Sequence, residues 1–346
     1  MLKSIRMDKD DYLKKLESAI LNAGYSVHYA TLCTRYATRL IDNQLPVIFD
    51  IRHLSKQIGV PAQNLLSMVF ANELYYKTAH IPKKMGGIRE LSIPSIDLKY
   101  IQRWILVNIL SHVPVSRHSF AFQSNLSIVD NAKMHLHKHC VLNIDIKDFF
   151  PSISFERVFR IFAYYGYTKE VSFVLAKLCT YKGSLPQGSP ASPCISNICC
   201  LKLDARIKAL AEKYEAQYSR YADDMTFSGQ HDLRSMIKPL KVIVQDEGFI
   251  INEKKTRLAY DYQRQEVTGL IVNGNKVSIP RQYKKTLLQE LYYCKKYGVE
   301  DHLQKIECNK AFYKEHIYGK IFYINMVEPE TAKRFFRLAD EIEWDY

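Results

Sequence analysis

Two adjacent carboxylates, Asp223 and Asp224, stand in the run RYADDMTFS (220–228), between aromatic and β-branched residues. Like charges this close resist joint ionisation unless something positive lies beside them. A metal ion is the natural candidate. A third acid, Asp145, closes the alternating stretch VLNIDI (141–146). On a strand alternate residues share a face, so Val141, Asn143 and Asp145 point together while Leu142, Ile144 and Ile146 point into packing. If a hairpin at 218–228 lies beside that strand, Asp145 and Asp223 meet. Hard cations such as Mg²⁺ take oxygen ligands, usually one or two protein carboxylates plus substrate phosphates. Two such ions can activate an attacking oxygen and stabilise a leaving one in phosphoryl transfer. An isolated Asp-Asp pair is more often a solvated turn. Asp148, three residues past Asp145, reads as a surface acid.

The elements that must position these acids come from periodicity and turn chemistry. Residues 8–42, 50–75, 95–113 and 153–180 read as helical, the third capped by Ser95 with Leu98, Ile101, Ile105 and Ile109 at helical spacing. The stretch 75–95 alternates around Gly86-Gly87 as a hairpin, with Lys83, Lys84 and Arg89 near its tip. GSLPQGSPASP (183–193) is a rigid loop opening a helix near 190–213, and 232–248 is a helix closed by Gly248. EVTGLIVNGNKVSIP (266–280) reads as a hairpin turned at Asn273-Gly274. Past Pro280 the chain reads as helices.

Composition narrows the partners. The chain has 346 residues, 47% hydrophobic, which suits a globular protein with a sizeable core. Its net charge of +13 favours a polyanion. Residues 76–139 concentrate nine Lys and Arg against three acids, just upstream of the acidic motifs. Eight cysteines without a CxxC pair suggest thiols in a reducing cytoplasm and no zinc site. The charged N-terminus has no signal-peptide core, and no run of about 18 apolar residues suggests a membrane span. The expected location is therefore cytoplasmic. His135, His137 and His139 alternate, but no Cys or carboxylate completes a metal set.

Five ordered stretches carry a resemblance. NIDIKDFFPSI (143–153), LPQGSPASPCISN (185–197), YADD (221–224), GFIINEKKT (248–256) and IPKKMGGIRELSIPS with LKYIQRWILVNIL (81–110) resemble, in order, the motifs of reverse transcriptases. Asn131-Ala132-Lys133-Met134-His135 matches the NAxxH signature, and Val267-Thr268-Gly269 the VTG signature, of the retron reverse transcriptases. One departure is Ala191, where Thr is expected. The resemblance covers roughly 45–345. It implies an α+β right-hand polymerase fold, with an antiparallel palm sheet backed by helices. The expected divisions are an N-terminal helical extension (1–44), fingers (45–140), palm (141–275) and a helical thumb (276–346).

The expected activity is RNA-directed DNA polymerisation with Mg²⁺, dNTPs and a structured non-coding RNA as template and primer. The product would be an RNA–DNA hybrid, branched from a 2′-OH, and the enzyme would act with an effector protein in anti-phage defence. Asp145, Asp223 and Asp224 are the expected metal ligands, Asp224 alternatively only tuning the site. Lys255 is a candidate to protonate the leaving pyrophosphate, with Lys254 an open alternative. Arg89 with Lys83 or Lys84 is expected to hold the triphosphate, since guanidinium suits bidentate phosphate contact. Phe150 would exclude a 2′-OH by bulk; Phe149 is the better core residue. Gln187 and Gly188 would approach the nucleotide, glycine permitting close backbone contact. Asn131, His135, Val267, Thr268 and Gly269 are the expected RNA-binding residues, with a structural hydrogen bond as the alternative for His135 and Asn131. Tyrosines and lysines interleave in the tail, as in stacking surfaces for RNA, though about half of those tyrosines should serve packing. Two rivals are a group II intron-like reverse transcriptase and an inactive RNA-binding scaffold.

Overall fold

The computed structural model describes residues 9–82, 86–307 and 312–344. The chain divides into two compact units, Met1–Ser116 with Lys147–Asp204, and Arg117–Ile146 with Ala205–Tyr346.

The first unit is mainly helical. Helices Lys9–Asn22 and Val27–Asp42 lead, followed by Ile51–Ile58 and Ala62–Phe70. Strands β1 (Tyr76–Pro82) and β2 (Ile88–Pro94) form an antiparallel hairpin, with Gly86 and Gly87 both at φ +87°. The helix Ile96–Asn108 begins where expected, its Ser95 side chain accepting from the Leu98 amide. Leu98, Ile101 and Ile105 are buried, so its apolar stripe is core. The helical stretch expected over 153–180 is two helices, Phe155–Tyr164 and Lys169–Cys179. Gly166, at φ +112°, breaks it because glycine alone tolerates that backbone cheaply.

The second unit is built on a four-stranded antiparallel sheet in the order β4-β5-β3-β6. These strands are β3 (Cys140–Asp145), β4 (Gln217–Tyr221), β5 (Asp224–Gly229) and β6 (Arg257–Tyr260). β3 departs from the expected one-sided burial. Val141 is as buried as Leu142, and only Asn143 is partly open. The reason is a second apolar layer. Val141 joins a core with Val267, Leu270 and Ile279 and with residues of four C-terminal helices: Arg281–Tyr297, Val299–Lys305, Tyr313–Val327 and Pro329–Asp340. Tyr313 is buried there and Tyr283, Tyr318 and Tyr323 partly so, whereas Tyr292 and Tyr297 are exposed with the Lys296 ammonium over both rings.

The reversal expected around Asn273-Gly274 is present, with Ile271 and Ser278 paired antiparallel across it through bonds of 2.8 and 3.0 Å, but a second and tighter turn lies inside the 266–280 stretch. The tight turn is Thr268-Gly269, both at positive φ, joining β7 (Glu266–Val267) to β8 (Leu270–Ile271). Two positive φ values are what a two-residue type I′ connection demands. Asn273 is drawn elsewhere: its amide donates to the Asp261 and Gln263 carbonyls, and its oxygen accepts from the Gln265 amide. Among the described residues no helix is long and apolar enough to cross a membrane.

Candidate active site

β3 ends on Asp145, and the β3–β5 register places it directly opposite Asp224, the first residue of β5. Only Ala222 and Asp223 separate β4 from β5, so Asp223 sits in the turn beside both acids. The Asp223 carbonyl accepts from the Ile146 amide at 2.9 Å, which ties the turn to the end of β3. Ala222 adopts φ +58°, unusual for a residue with a Cβ. Arg220, fully buried, donates from its guanidinium to the Ala222 carbonyl at 3.1 Å and so braces that turn.

Asp145 is 5% exposed and held from a second side. Its backbone carbonyl accepts from the Asn252 amide at 2.8 Å, and its carboxylate accepts from Asn252 Nδ2 at 3.0 Å and from Lys255 Nζ at 2.7 Å. Lys255, not Lys254, therefore reaches the acids. Its hydrogen bond to Asp145, and then the other carboxylates, hold its pKa above the usual lysine value. Asp224 is pushed up to about 7, first by burial, then by the charges of Asp223 and Asp145, with Lys255 opposing. Three acids thus face one ammonium, and the shortage of positive charge appears as a carboxyl that resists ionisation.

The donors fit a hard divalent cation: they are carboxylate oxygens in electrostatic deficit. Among the described residues no three His, Cys, Asp or Glu side chains form a ready-made cage.

The remaining candidates fall in separate places. In the first unit Phe149 is buried, and Phe150 is half-buried with its ring edge-on to Phe149 at 5.5 Å between centroids. Gln187 accepts from the Ser92 amide through its carbonyl at 2.9 Å, and Gly188 at φ +135° runs against β2. A Cβ on Gly188 would stand 2.7 Å from the Ser92 carbonyl oxygen, so the close approach that needs glycine is to the strand. Arg89 is exposed on β2, opposite Ile81. Lys83 and Lys84 lie outside the described residues.

In the second unit the two signature motifs meet. Thr268 Oγ1 donates to the Ile128 carbonyl at 3.3 Å, at the start of the helix Ile128–Lys133 that carries Asn131. Direct RNA contact is corrected for Asn131, His135 and Val267, which are 1%, 0% and 0% exposed and present no surface to a ligand. Thr268 is half-buried, and Gly269 is exposed. Sequence reasoning missed Asn252 and Arg220. Both adjoin motifs it did single out, Asn252 within GFIINEKKT and Arg220 one residue before YADD.

The profile described as reverse transcriptase (RNA-dependent DNA polymerase) matches residues 81–279. The chain is 34% identical over 313 residues to the Retron Ec86 reverse transcriptase of Escherichia coli, covering 89% of this chain and 94% of that protein. It is 34% identical over 284 residues to the Retron Mx65 reverse transcriptase of Myxococcus xanthus, covering 76% and 64%. Among solved structures, a telomerase from Candida albicans aligns with a TM-score of 0.44 at 11% identity, covering 78% of this chain and 61% of that one. With its motifs in order, its α+β fold and relatives matched along most of their length, the chain belongs to the retron reverse transcriptases, which are RNA-directed DNA polymerases.

Proposed function

We propose that the chain copies its own structured non-coding RNA into DNA primed from an internal 2′-OH, leaving a branched RNA-linked single-stranded DNA, and that it acts with an effector protein in anti-phage defence. The observation that carries the catalytic part is the in-register pair Asp145–Asp224, with Asp223 in the intervening turn and Lys255 at 2.7 Å. Asp145 and Asp223 hold Mg²⁺ and Asp224 completes or tunes the set. When bound, the cation supplies Lewis-acid stabilisation of the attacking and leaving oxygens.

The chain's own groups do the rest. Asn252 fixes the rotamer of Asp145 by bonding one carboxylate oxygen. Lys255 carries a proton at Nζ, next to the acids, and can pass it to pyrophosphate as that leaves. Arg89, with Lys83 or Lys84, holds the triphosphate. Phe150 lies under the sugar, where its bulk excludes a 2′-OH. The Gln187-Gly188 backbone approaches the incoming nucleotide. Fingers, palm and thumb correspond to 45–140, 141–275 and 276–346, behind an N-terminal extension, and the exposed Tyr292–Lys296–Tyr297 cluster meets RNA by stacking.

Sequencing the nucleic acid that copurifies from cells carrying the chain with its flanking DNA, for wild type and Asp223→Asn, tests this reading. A short DNA joined to one RNA by a 2′–5′ bond, absent in the variant, is the expected result. Unbranched DNA leaves the polymerase and overturns the priming, favouring an intron-like enzyme. RNA alone in both samples overturns the polymerase reading in favour of a scaffold.

A further inference from the structure

The segment following the helix Ile128–Lys133 delivers His135 into the interior, where it keeps no exposed surface. Its Nδ1 lies 2.7 Å from Ser228 Oγ and its Nε2 2.7 Å from Ser219 Oγ. Ser219 belongs to β4 and Ser228 to β5. The register pairs Ser219 with Thr226, Gln217 with Ser228, and Tyr221 with Asp224. Residues two apart on a strand, and residues directly opposite, share a face. Both serines therefore lie on the face of Asp224. Between them and the acids, Thr226 donates its hydroxyl to Asn143 Oδ1 at 3.1 Å, and Asn143 lies two residues before Asp145 on β3. One polar row runs along this face: His135 with its two serines, then Thr226 with Asn143, then Asp224 with Asp145.

A buried imidazole is costly unless both nitrogens find partners, and here both do. A neutral imidazole donates at one nitrogen and accepts at the other, and each hydroxyl turns to suit. Burial lowers its pKa to about 3, so the bridge stays neutral and unchanged near neutral pH. An apolar side chain could fill this volume but could not bond the two strands.

We propose that His135 is a positioning residue for polymerisation, which bonds Ser219 of β4 and Ser228 of β5 so that the turn between those strands presents Asp223 and Asp224 to Asp145. This rests on Asp145 and Asp223 as the reacting carboxylates. It gives the signature histidine a task inside the protein instead of at the RNA.

The test is steady-state extension of a DNA primer on a plain polyadenylate template, which needs no cognate RNA, with template affinity measured in parallel. The variants are His135→Ala, His135→Gln and Ser219→Ala/Ser228→Ala. Misplacing reacting groups by about 1 Å costs up to roughly a hundredfold, so His135→Ala and the double serine variant should each lose at least about tenfold in kcat. Their KM for the nucleotide and their template Kd should stay within about threefold, because ground-state binding is untouched. Hydrogen exchange should quicken in 217–229 and not in 257–260. His135→Gln, whose amide can donate to one hydroxyl and accept from the other, should recover at least about half of the wild-type kcat. The double serine variant removes only two oxygens and so carries the test if His135→Ala fails to fold. An unchanged kcat, a loss confined to template affinity, or a Gln variant no better than Ala would overturn the proposal. Asp223→Asn run alongside separates the two readings: activity in that variant defeats the site assignment, whereas its loss with full activity in His135→Ala defeats this proposal alone.

Discussion

The hairpin β1–β2 and the hairpin β4–β5 are both two-stranded antiparallel units, but their surroundings are opposite. In β1–β2 only Tyr76 and Pro94, which face each other at the base, are fully buried. In β4–β5 nearly every residue between the ends is buried. The first has Gly86 and Gly87 at φ +87° before its second strand. The second turns through Ala222 at φ +58°, braced by a buried Arg220. An isolated two-stranded hairpin is marginal in water, and β1–β2 is held by burial at its base and by the Gln187-Gly188 backbone against β2. A site that must hold carboxylates within a fraction of an ångström needs the other kind, locked by packing and by hydrogen bonds behind it. The contrast separates an element that reaches from one that aims.

The largest effect expected from that division is at the aiming hairpin. Asp223→Asn keeps the shape of the turn and removes one charge, so polymerisation should fall by about a thousandfold or more, as for loss of a group that stabilises transition-state charge. Its thermal midpoint should move by no more than about 3 °C, because a surface-turn substitution without a cavity costs little. Calorimetry beside a primer-extension assay checks both. A large drop in midpoint would mean the charge holds the hairpin together, and the contrast would fail.

Gly188→Ala probes the reaching hairpin at its base. The new Cβ would meet the Ser92 carbonyl oxygen at 2.7 Å, at φ +135°. Overpacking against backbone in that region should cost about 1–3 kcal/mol. Urea unfolding measures the cost, and the KM for the nucleotide should rise more than kcat falls. Wild-type stability with unchanged KM would show that the loop and β2 separate freely, and that β2 is not anchored there.

The buried side of the contrast also sets a pH dependence. His135 in the fold titrates at about 3 instead of 6.5, because burial opposes its charge. Below 6.5 the unfolded chain takes up a proton that the folded chain refuses, so stability falls as pH drops from about 6.5 toward 3. Between 6.5 and about 5 this group alone should remove up to about 2 kcal/mol. Urea midpoints for wild type and His135→Gln at the two pH values check it: the acid loss should shrink in the variant by about that amount. Equal slopes would mean that His135 charges in place.

Much of this was legible in the sequence because it is local. Alternation around Asp145, the hairpin at YADD, the Ser95 cap and the helical tail each depend on residues near in the chain. So did the preference for Lys255, although separating it from Lys254 required the short helical turn Glu253–Lys255 that places one ammonium on Asp145. What stayed hidden depends on long-range neighbours. NAxxH reads the same whether its histidine faces RNA or two serines more than eighty residues downstream. Asn-Gly marks a real reversal, with Ile271 paired to Ser278 across it, but the tighter Thr268-Gly269 turn and the capture of the Asn273 side chain by backbone groups at 261, 263 and 265 gave no local signal. The two-sided burial of β3 depends on helices that begin more than a hundred residues later.

The smallest expected effect is the most direct comparison of the two turns. Ala222→Gly gives the β4–β5 hairpin the residue type that the β1–β2 hairpin already carries. A non-glycine residue at φ +58° stores about 1 kcal/mol of backbone strain, and glycine releases it while adding freedom to the unfolded chain. These effects nearly cancel, so the thermal midpoint should move by about 2 °C or less. The turn, however, loses its preference for one shape and relies on the Arg220 bond to the Ala222 carbonyl and the Ile146 amide bond to the Asp223 carbonyl. kcat should then fall by about two- to fivefold, with KM for the nucleotide unchanged, because only the aim of Asp223 has loosened. Single-turnover extension with matched calorimetry resolves a change of this size. Undiminished kcat in Ala222→Gly would mean that the Arg220 and Ile146 hydrogen bonds fix the turn by themselves, and that the strain at Ala222 follows from the hairpin's geometry without contributing to its aim.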